Sequence, residues 1–212
     1  DGGATPYLDD DTRMLRTGIR AEDVETAGPA NLVFVINTSG SMAEGDKLEI
    51  VKDSLAVLVE NLDDEDTITI VEFGDEASVA LDPTWGDETD DILEALRSLE
   101  PNGGTNFEEG LRLGYRAAED LFVDDEGAIN RVVDASDGVA NVGLSDPESL
   151  VDVIRDAADA GVRLVTVGVG MDNYNDELLE QLANDGDGFY AYVDTYDEAV
   201  DLFHRDLMGT LV

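Results

Sequence analysis

The chain has no cysteine and a single histidine, His204. Disulfides, thiolate metal sites and Cys nucleophiles are therefore excluded, and imidazole-based sites have almost nothing to draw on. Lysine is nearly absent too: Lys47 and Lys52 are the only two. With 12 Lys and Arg against 51 Asp and Glu, the formal net charge is −39. No basic patch is available to attract phosphate backbones or anionic lipids, which argues against nucleic acid and anionic membranes as partners. No apolar run approaches the ~20 residues of a membrane-spanning helix, and no signal-like segment is present. Direct membrane insertion by this chain is not expected.

What is present reads as a folded domain. Hydrophobic residues make up 42% of the chain, in regular runs. That pattern argues against the disorder that high net charge otherwise implies. The length of 212 residues fits one domain with one core. The carboxylate excess then reads as a surface adapted to high salt, because at ~1 M salt the Debye length is about 3 Å and self-repulsion is screened. A halophilic source is the expectation; an ordinary acidic protein is the alternative.

Residues 1–29 form an acidic, Gly-containing tail followed by a partially alternating stretch at 14–24, read as a lone flanking strand, and a linker at Ala27-Gly28-Pro29. Residues 30–212 form the main domain. Within it, strand and helix patterns alternate. Residues 32–36 are continuously apolar, as in a strand covered on both faces. Leu48, Val51, Leu55, Leu58 and Leu62 recur at helical steps. A strand over 67–73 is followed after three residues by another at 77–81, too close for a crossover, so this pair is antiparallel at one edge. Helices are expected at 92–99, 105–122, 147–160, 176–182 and 196–208, and strands at 129–136, 162–169 and 189–193. Glu108, three past Thr105, suggests a capping box. The whole predicts an α/β fold: a doubly wound, mostly parallel sheet with helices on both faces.

Ligands of such sheets bind beyond the carboxyl ends of the strands. Three pieces of sequence fall there. Asn37-Thr38-Ser39-Gly40-Ser41-Met42 follows the first strand, with two hydroxyls two residues apart. Asn102-Gly103-Gly104-Thr105-Asn106 precedes a helix, and Ser136-Asp137-Gly138 follows a later strand. Three hydroxyls and a carboxylate at one sheet edge outline a site for a hard cation, which takes oxygen ligands and keeps several waters.

With these three motifs in this order, the chain resembles the von Willebrand factor type A domain over roughly residues 30–208. The metal-ion-dependent adhesion site of that family reads Asp-x-Ser-x-Ser, then a distant Thr, then a distant Asp. The stretches 29–36, 130–133, 136–143 and 168–170 look most like an envelope-associated bacterial and archaeal subgroup. The resemblance implies a Rossmann-like fold and a metal site of Asn37, Ser39, Ser41, Thr105 and Asp137. It implies Mg²⁺, or Mn²⁺ or Ca²⁺, as the ion, and a partner protein whose Asp or Glu side chain completes the coordination. A cell-envelope or extracellular setting follows, with a cytoplasmic one as the alternative.

The chain departs from the family at position 37, which is Asn where the family has Asp. Asn keeps an acceptor oxygen and loses the charge. A loss of roughly 10–100-fold in metal affinity is expected, the scale of changes one step removed from the metal. Asp134 is a second oddity, a carboxylate in what should be a buried central strand. Two readings stand: Asp134 compensates the charge lost at position 37, or it meets solvent or another donor.

The function expected is a non-enzymatic interaction or adhesion module. One alternative is a metal-free structural domain with a degenerate site. The other is a metal-dependent phosphotransferase, which needs a nucleophilic Asp where Asn37 stands. Gly168-Val169-Gly170 completes no nucleotide-binding fingerprint. Asp172, Asn173 and Asn175 complete no EF-hand. Trp85 and Tyr174 are loop aromatics that could make contacts, and His204 reads as a surface or helix-end residue.

Overall fold

The structure, a computed structural model, describes residues 28–125, 127–137, 147–170 and 176–202. Six strands form one sheet: β1 (Ala30–Asn37), β2 (Thr67–Phe73), β3 (Ala77–Trp85), β4 (Ile129–Ser136), β5 (Val162–Val169) and β6 (Phe189–Val193). Their order across the sheet is β3-β2-β1-β4-β5-β6. Every pairing is parallel except β2 with β3. Six helices connect them: α1 (Lys47–Val59), α2 (Thr89–Ser98), α3 (Phe107–Asp120), α4 (Pro147–Asp159), α5 (Asp176–Asp185) and α6 (Tyr196–Asp201).

The predicted alternation is therefore what forms, with the antiparallel edge where the short connection requires it. β3 runs four residues longer than the apolar pattern suggests, because an edge strand with one exposed face tolerates Asp82 and Pro83. α3 starts at Phe107, not Thr105, and its cap is Asn106, whose side chain accepts from the Glu109 N–H. Glu108 is paired instead with Arg112 at 3.0 Å. The flanking strand expected at 14–24 and the helix beyond Leu202 lie outside the described residues.

Side chains alternate across the strands, so β1 feeds two cores. Leu32, Phe34 and Ile36 pack with Leu48, Val51 and Leu55 of α1 and Ile92 of α2. Val33 and Val35 pack with Leu111 and Tyr115 of α3, Leu150 of α4 and Leu179 of α5. Truncating any of these large aliphatic side chains to Ala should cost ~2–5 kcal/mol.

The topology fixes where a ligand can sit. From β1 the chain first builds outward to β2 and β3, then returns to place β4 on the opposite side of β1. β1 and β4 therefore flank the switch point, where the following loops diverge and leave a crevice. Asn37 ends β1 and Asp137 directly follows β4. α3 lies unusually close to the sheet beneath this crevice. A Cβ on Gly114 would come 2.4 Å from Val35 Cγ2, and one on Gly110 would come 2.8 Å from the Phe73 ring. Glycine at both positions lets the helix, and the Thr105 loop before it, approach β1 and β2.

Candidate metal centre

Three loops at the carboxyl edge are laced together by backbone groups. The Thr38 N–H donates to the Phe73 carbonyl at 2.9 Å. The Gly40 N–H donates to the Gly103 carbonyl at 3.2 Å, and the Asn106 N–H to the Gly74 carbonyl at 2.7 Å. The Gly104 N–H donates to Asp75 Oδ1 at 2.6 Å. The loop after β1 is thus held against the loops before β3 and before α3. Residues 40–46 form a kinked 3₁₀ segment, interrupted at Glu44 and Gly45 and anchored by the fully buried Met42.

Asn37 is buried and uses both ends of its amide. Its Oδ1 accepts from the Ser39 N–H at 2.8 Å. Its Nδ2 donates to Asp137 Oδ1 at 3.2 Å. The Ser39 amide needs an acceptor, so the amide orientation is set by the backbone. Ser39 and Ser41 bring their hydroxyl oxygens to 3.0 Å of each other. Asp137 is buried too. Its second oxygen, Oδ2, accepts from Lys47 Nζ at 3.2 Å.

The sequence-selected residues therefore converge in large part. Asn37, Ser39, Ser41 and Asp137 are joined in a chain by three direct hydrogen bonds: Ser41 with Ser39, Ser39 with Asn37, and Asn37 with Asp137. Thr105 is half-buried on the adjoining loop, joined through the Gly40–Gly103 contact. Asp134 does not join them. It lies level with Val35 in the β1–β4 register, about 6–7 Å along the strand from the level of Asn37. Neither of its oxygens accepts a hydrogen bond from a described residue. The Asn37 amide turns to Asp137 instead, so direct compensation between Asp134 and position 37 is not made. Burial pushes the Asp134 carboxyl well above its ordinary range. Burial, and secondarily the charge of Asp134, pushes the Tyr115 phenol up. The Tyr115 hydroxyl also finds no partner among described residues. Tyr174, His204 and the 172–175 stretch lie outside the described residues; Trp85 is exposed at the opposite end of the sheet.

The donors fit a hard divalent ion in type: hydroxyls and one carboxylate, all oxygen ligands. In charge they supply only Asp137. Among the described residues no three His, Cys, Asp or Glu side chains cluster for a metal. Lys47 was not anticipated. The signal lay in its rarity and place: one of two lysines, at the first position of a helix, where a cation opposes the helix dipole.

A family model of the von Willebrand factor type A domain matches residues 31–205. The chain belongs to the von Willebrand factor type A family. Among its relatives is the uncharacterized protein YfbK of Escherichia coli (strain K12), 37% identical over 201 residues, covering 94% of this chain and 35% of that protein. The chain thus spans about a third of that relative's length. A von Willebrand factor type A structure from Catenulispora acidiphila superposes with a TM-score of 0.70 at 19% identity, covering 87% of this chain and 43% of that one. A structure of proximal thread matrix protein 1 from the mussel byssus, with a zinc-occupied MIDAS motif, gives a TM-score of 0.65 at 22% identity, covering 87% and 46% of the two chains. At such identities the two structures speak for the fold. Type A domains commonly serve as protein-interaction modules, and among the described residues no helix is long and apolar enough to cross a membrane.

Proposed function

We propose that this domain is a non-enzymatic interaction module whose contact surface is the carboxyl edge of the sheet around Asn37, Ser39, Ser41, Thr105 and Asp137. The observation that carries the reading is the paired Ser39 and Ser41 hydroxyls, linked through Asn37 to the buried Asp137, at the crevice between β1 and β4. Ser39, Ser41, Thr105 and Asp137 are the residues that would hold a divalent ion, Mg²⁺ or a similar one, with Asn37 supporting a bound water. When bound, such an ion would offer an oxygen-seeking positive charge to an Asp or Glu side chain of a partner protein. Zinc in the adhesion motif of the mussel protein is in keeping with that chemistry.

The chain's own residues do the positioning. Asn37 holds the Ser39 backbone through one end of its amide and Asp137 through the other. Its neutral side chain leaves one carboxylate where the family has two, so divalent binding is weakened. The acidic surface repels anionic partners at a distance and leaves the recognition to this one cationic position. Residues 30–212 are taken as the module and 1–29 as its flanking segment. An envelope or extracellular setting suits an adhesion role.

A metal-free structural domain is the second reading, favoured by the Lys47–Asp137 ion pair. A phosphotransferase is disfavoured because Asn37, at the end of β1, has no nucleophilic carboxylate. Calorimetric titration of Mg²⁺, Mn²⁺ and Ca²⁺ at fixed high KCl decides between them. Saturable binding lost in Asp137→Ala and weakened in Thr105→Ala supports the module. No heat of binding for any ion leaves the structural reading.

A further inference from the structure

We propose that Lys47 is a tethered cation that closes the adhesion site: its ammonium holds Asp137 in the metal-free domain, and a divalent ion binds only when Lys47 leaves. The inference rests on the reading of this site as metal-binding and adds the element that regulates it.

Four observations converge on Lys47. Its Nζ lies 3.2 Å from Asp137 Oδ2, and the Asp137 side chain is fully buried while that of Lys47 is 16% exposed. The pair is therefore largely shielded from water, where an ion pair is screened least. The path of the side chain is shaped for it. A Cβ on Gly170, at the end of β5, would come 2.6 Å from Lys47 Cε, 3.1 Å from Cδ and 3.2 Å from Cγ. The lysine stem lies flat across this glycine on its way from α1 to Asp137. The backbone before Lys47 is bent to aim it, with Gly45 and Asp46 both left-handed at φ 64° and 59°. A non-glycine residue rarely adopts that conformation, so the turn is a specific feature. Finally, a lysine at the first position of a helix opposes the helix dipole. Helix formation gives no reason for it there; Asp137 does.

Charge completes the argument. Among Asn37, Ser39, Ser41, Thr105 and Asp137 there is one carboxylate, and one ammonium neutralises it. A second carboxylate at position 37 would leave a residual negative charge beside the lysine. With Asn37 the site is balanced by a monovalent cation that the chain itself provides. A divalent ion and Lys47 draw on the same Asp137, so each weakens the other's hold. The two lie on different elements, α1 and the end of β4. Release of Lys47 would free the first turn of α1 from Asp137 at the end of β4, which gives metal binding a route to the surface a partner meets.

The scarcity of lysine makes the test clean. With ¹³C-labelled lysine the chain gives only two side-chain Cε signals, from Lys47 and Lys52. Mg²⁺ is titrated into the unmutated chain, Lys47→Met, Lys47→Arg and Asp137→Ala at fixed KCl, with folding checked by circular dichroism. Affinity is read by calorimetry. The expected result is that Lys47→Met binds Mg²⁺ at least tenfold more tightly than the unmutated chain while Lys47→Arg stays weak. In the unmutated chain the Lys47 signal moves on Mg²⁺ addition and the Lys52 signal does not. Equal affinities for Lys47→Met and the unmutated chain, with binding lost in Asp137→Ala, overturn the tether and leave the metal reading standing. A Lys47 signal that stays fixed at Mg²⁺ saturation overturns it as well, and this needs no variant to fold. Absence of binding in all four proteins overturns both.

Discussion

The amide nitrogen of Asn37 donates to Asp137 Oδ1 across 3.2 Å, linking the end of β1 to the end of β4. These strands flank the point where the chain reverses its direction of growth across the sheet. The hydrogen bond therefore spans the crevice in which a ligand of this fold would sit. It also means that Asp137, the one carboxylate of the site, is held from both sides: by Asn37 at one oxygen and by Lys47 at the other.

Replacing Asn37 by Asp changes a donor into a second buried carboxylate at the same distance. Like charges so placed repel, and the metal-free fold should lose about 1–3 kcal/mol, the scale of a broken buried hydrogen bond. The same change restores the charge a divalent ion needs. Mg²⁺ affinity should rise roughly 10–100-fold. Thermal melts of both proteins with and without millimolar Mg²⁺ test both halves: Asn37→Asp should melt lower without Mg²⁺ and gain more from it. Identical melts under both conditions would show that neither Asp137 nor an ion senses position 37.

Asp134 yields a prediction with a definite sign in pH. Its carboxyl is buried, lacks a partner among the described residues and has its pKa raised by burial. Above its ordinary value of 3.8, the unfolded chain has released this proton while the folded chain keeps it. The folded state then binds more protons, so its contribution to stability falls as pH rises. Asp134→Val removes both the titration and the unsatisfied oxygens. The variant should be more stable by about 1–3 kcal/mol at pH 8 and by less at pH 4. Denaturant melts of the pair across that range suffice. A gap that does not widen with pH would mean that Asp134 has a donor in solution.

The fold was legible because its signals are local. The apolar run before Asn37, the helical spacing of Leu48 to Leu58 and the short link between β2 and β3 each carry their own meaning. The grouping of the candidate site residues was legible because three pieces share one sheet edge once the alternation is read. Three things were not. The cap of α3 went to Asn106 over Thr105, since either could cap and only the docking of the loop on Gly74 selects one. Lys47 reaches Asp137 across 90 positions of sequence and over a glycine on a third element. No local pattern encodes such a contact. The same non-locality explains Asp134: neighbouring strands suggested a partnership with position 37, and the register placed the two side chains at different levels.

The close approach of α3 predicts a coupled pair of substitutions. Gly114→Ala would set a methyl 2.4 Å from Val35 Cγ2, inside contact distance. The helix must shift, at a cost of about 1–3 kcal/mol for overpacking. Val35→Ala alone leaves a cavity and should also destabilise. Together they should cost less than the sum, because the new methyl enters the space that valine vacates. A double-mutant cycle by urea denaturation measures the coupling. Strict additivity would show that the two positions are not in contact.

The net charge of −39 carries the last prediction. Ion pairs such as Lys52–Glu49, Arg112–Glu108 and Arg155–Asp185 join partly exposed groups and offset little of it. At low ionic strength the Debye length reaches ~30 Å, comparable with the domain itself, so each carboxylate repels many others. At molar salt only close neighbours interact. Unfolding spreads the charges and relieves the repulsion, so the folded state gains most from screening. Melting temperature should therefore climb steeply between 0.1 and 3 M KCl. The Lys47–Asp137 pair, being largely buried, should be screened least, so the gain should be nearly the same in Lys47→Met. Tetramethylammonium chloride separates screening from specific K⁺ binding, because its bulky cation screens without fitting a carboxylate cluster. Similar curves in the two salts point to screening alone; a steeper one in KCl adds site-bound K⁺. A melting temperature that stays flat in both would remove the repulsion argument and, with it, the physical reason for placing this domain in a high-salt environment.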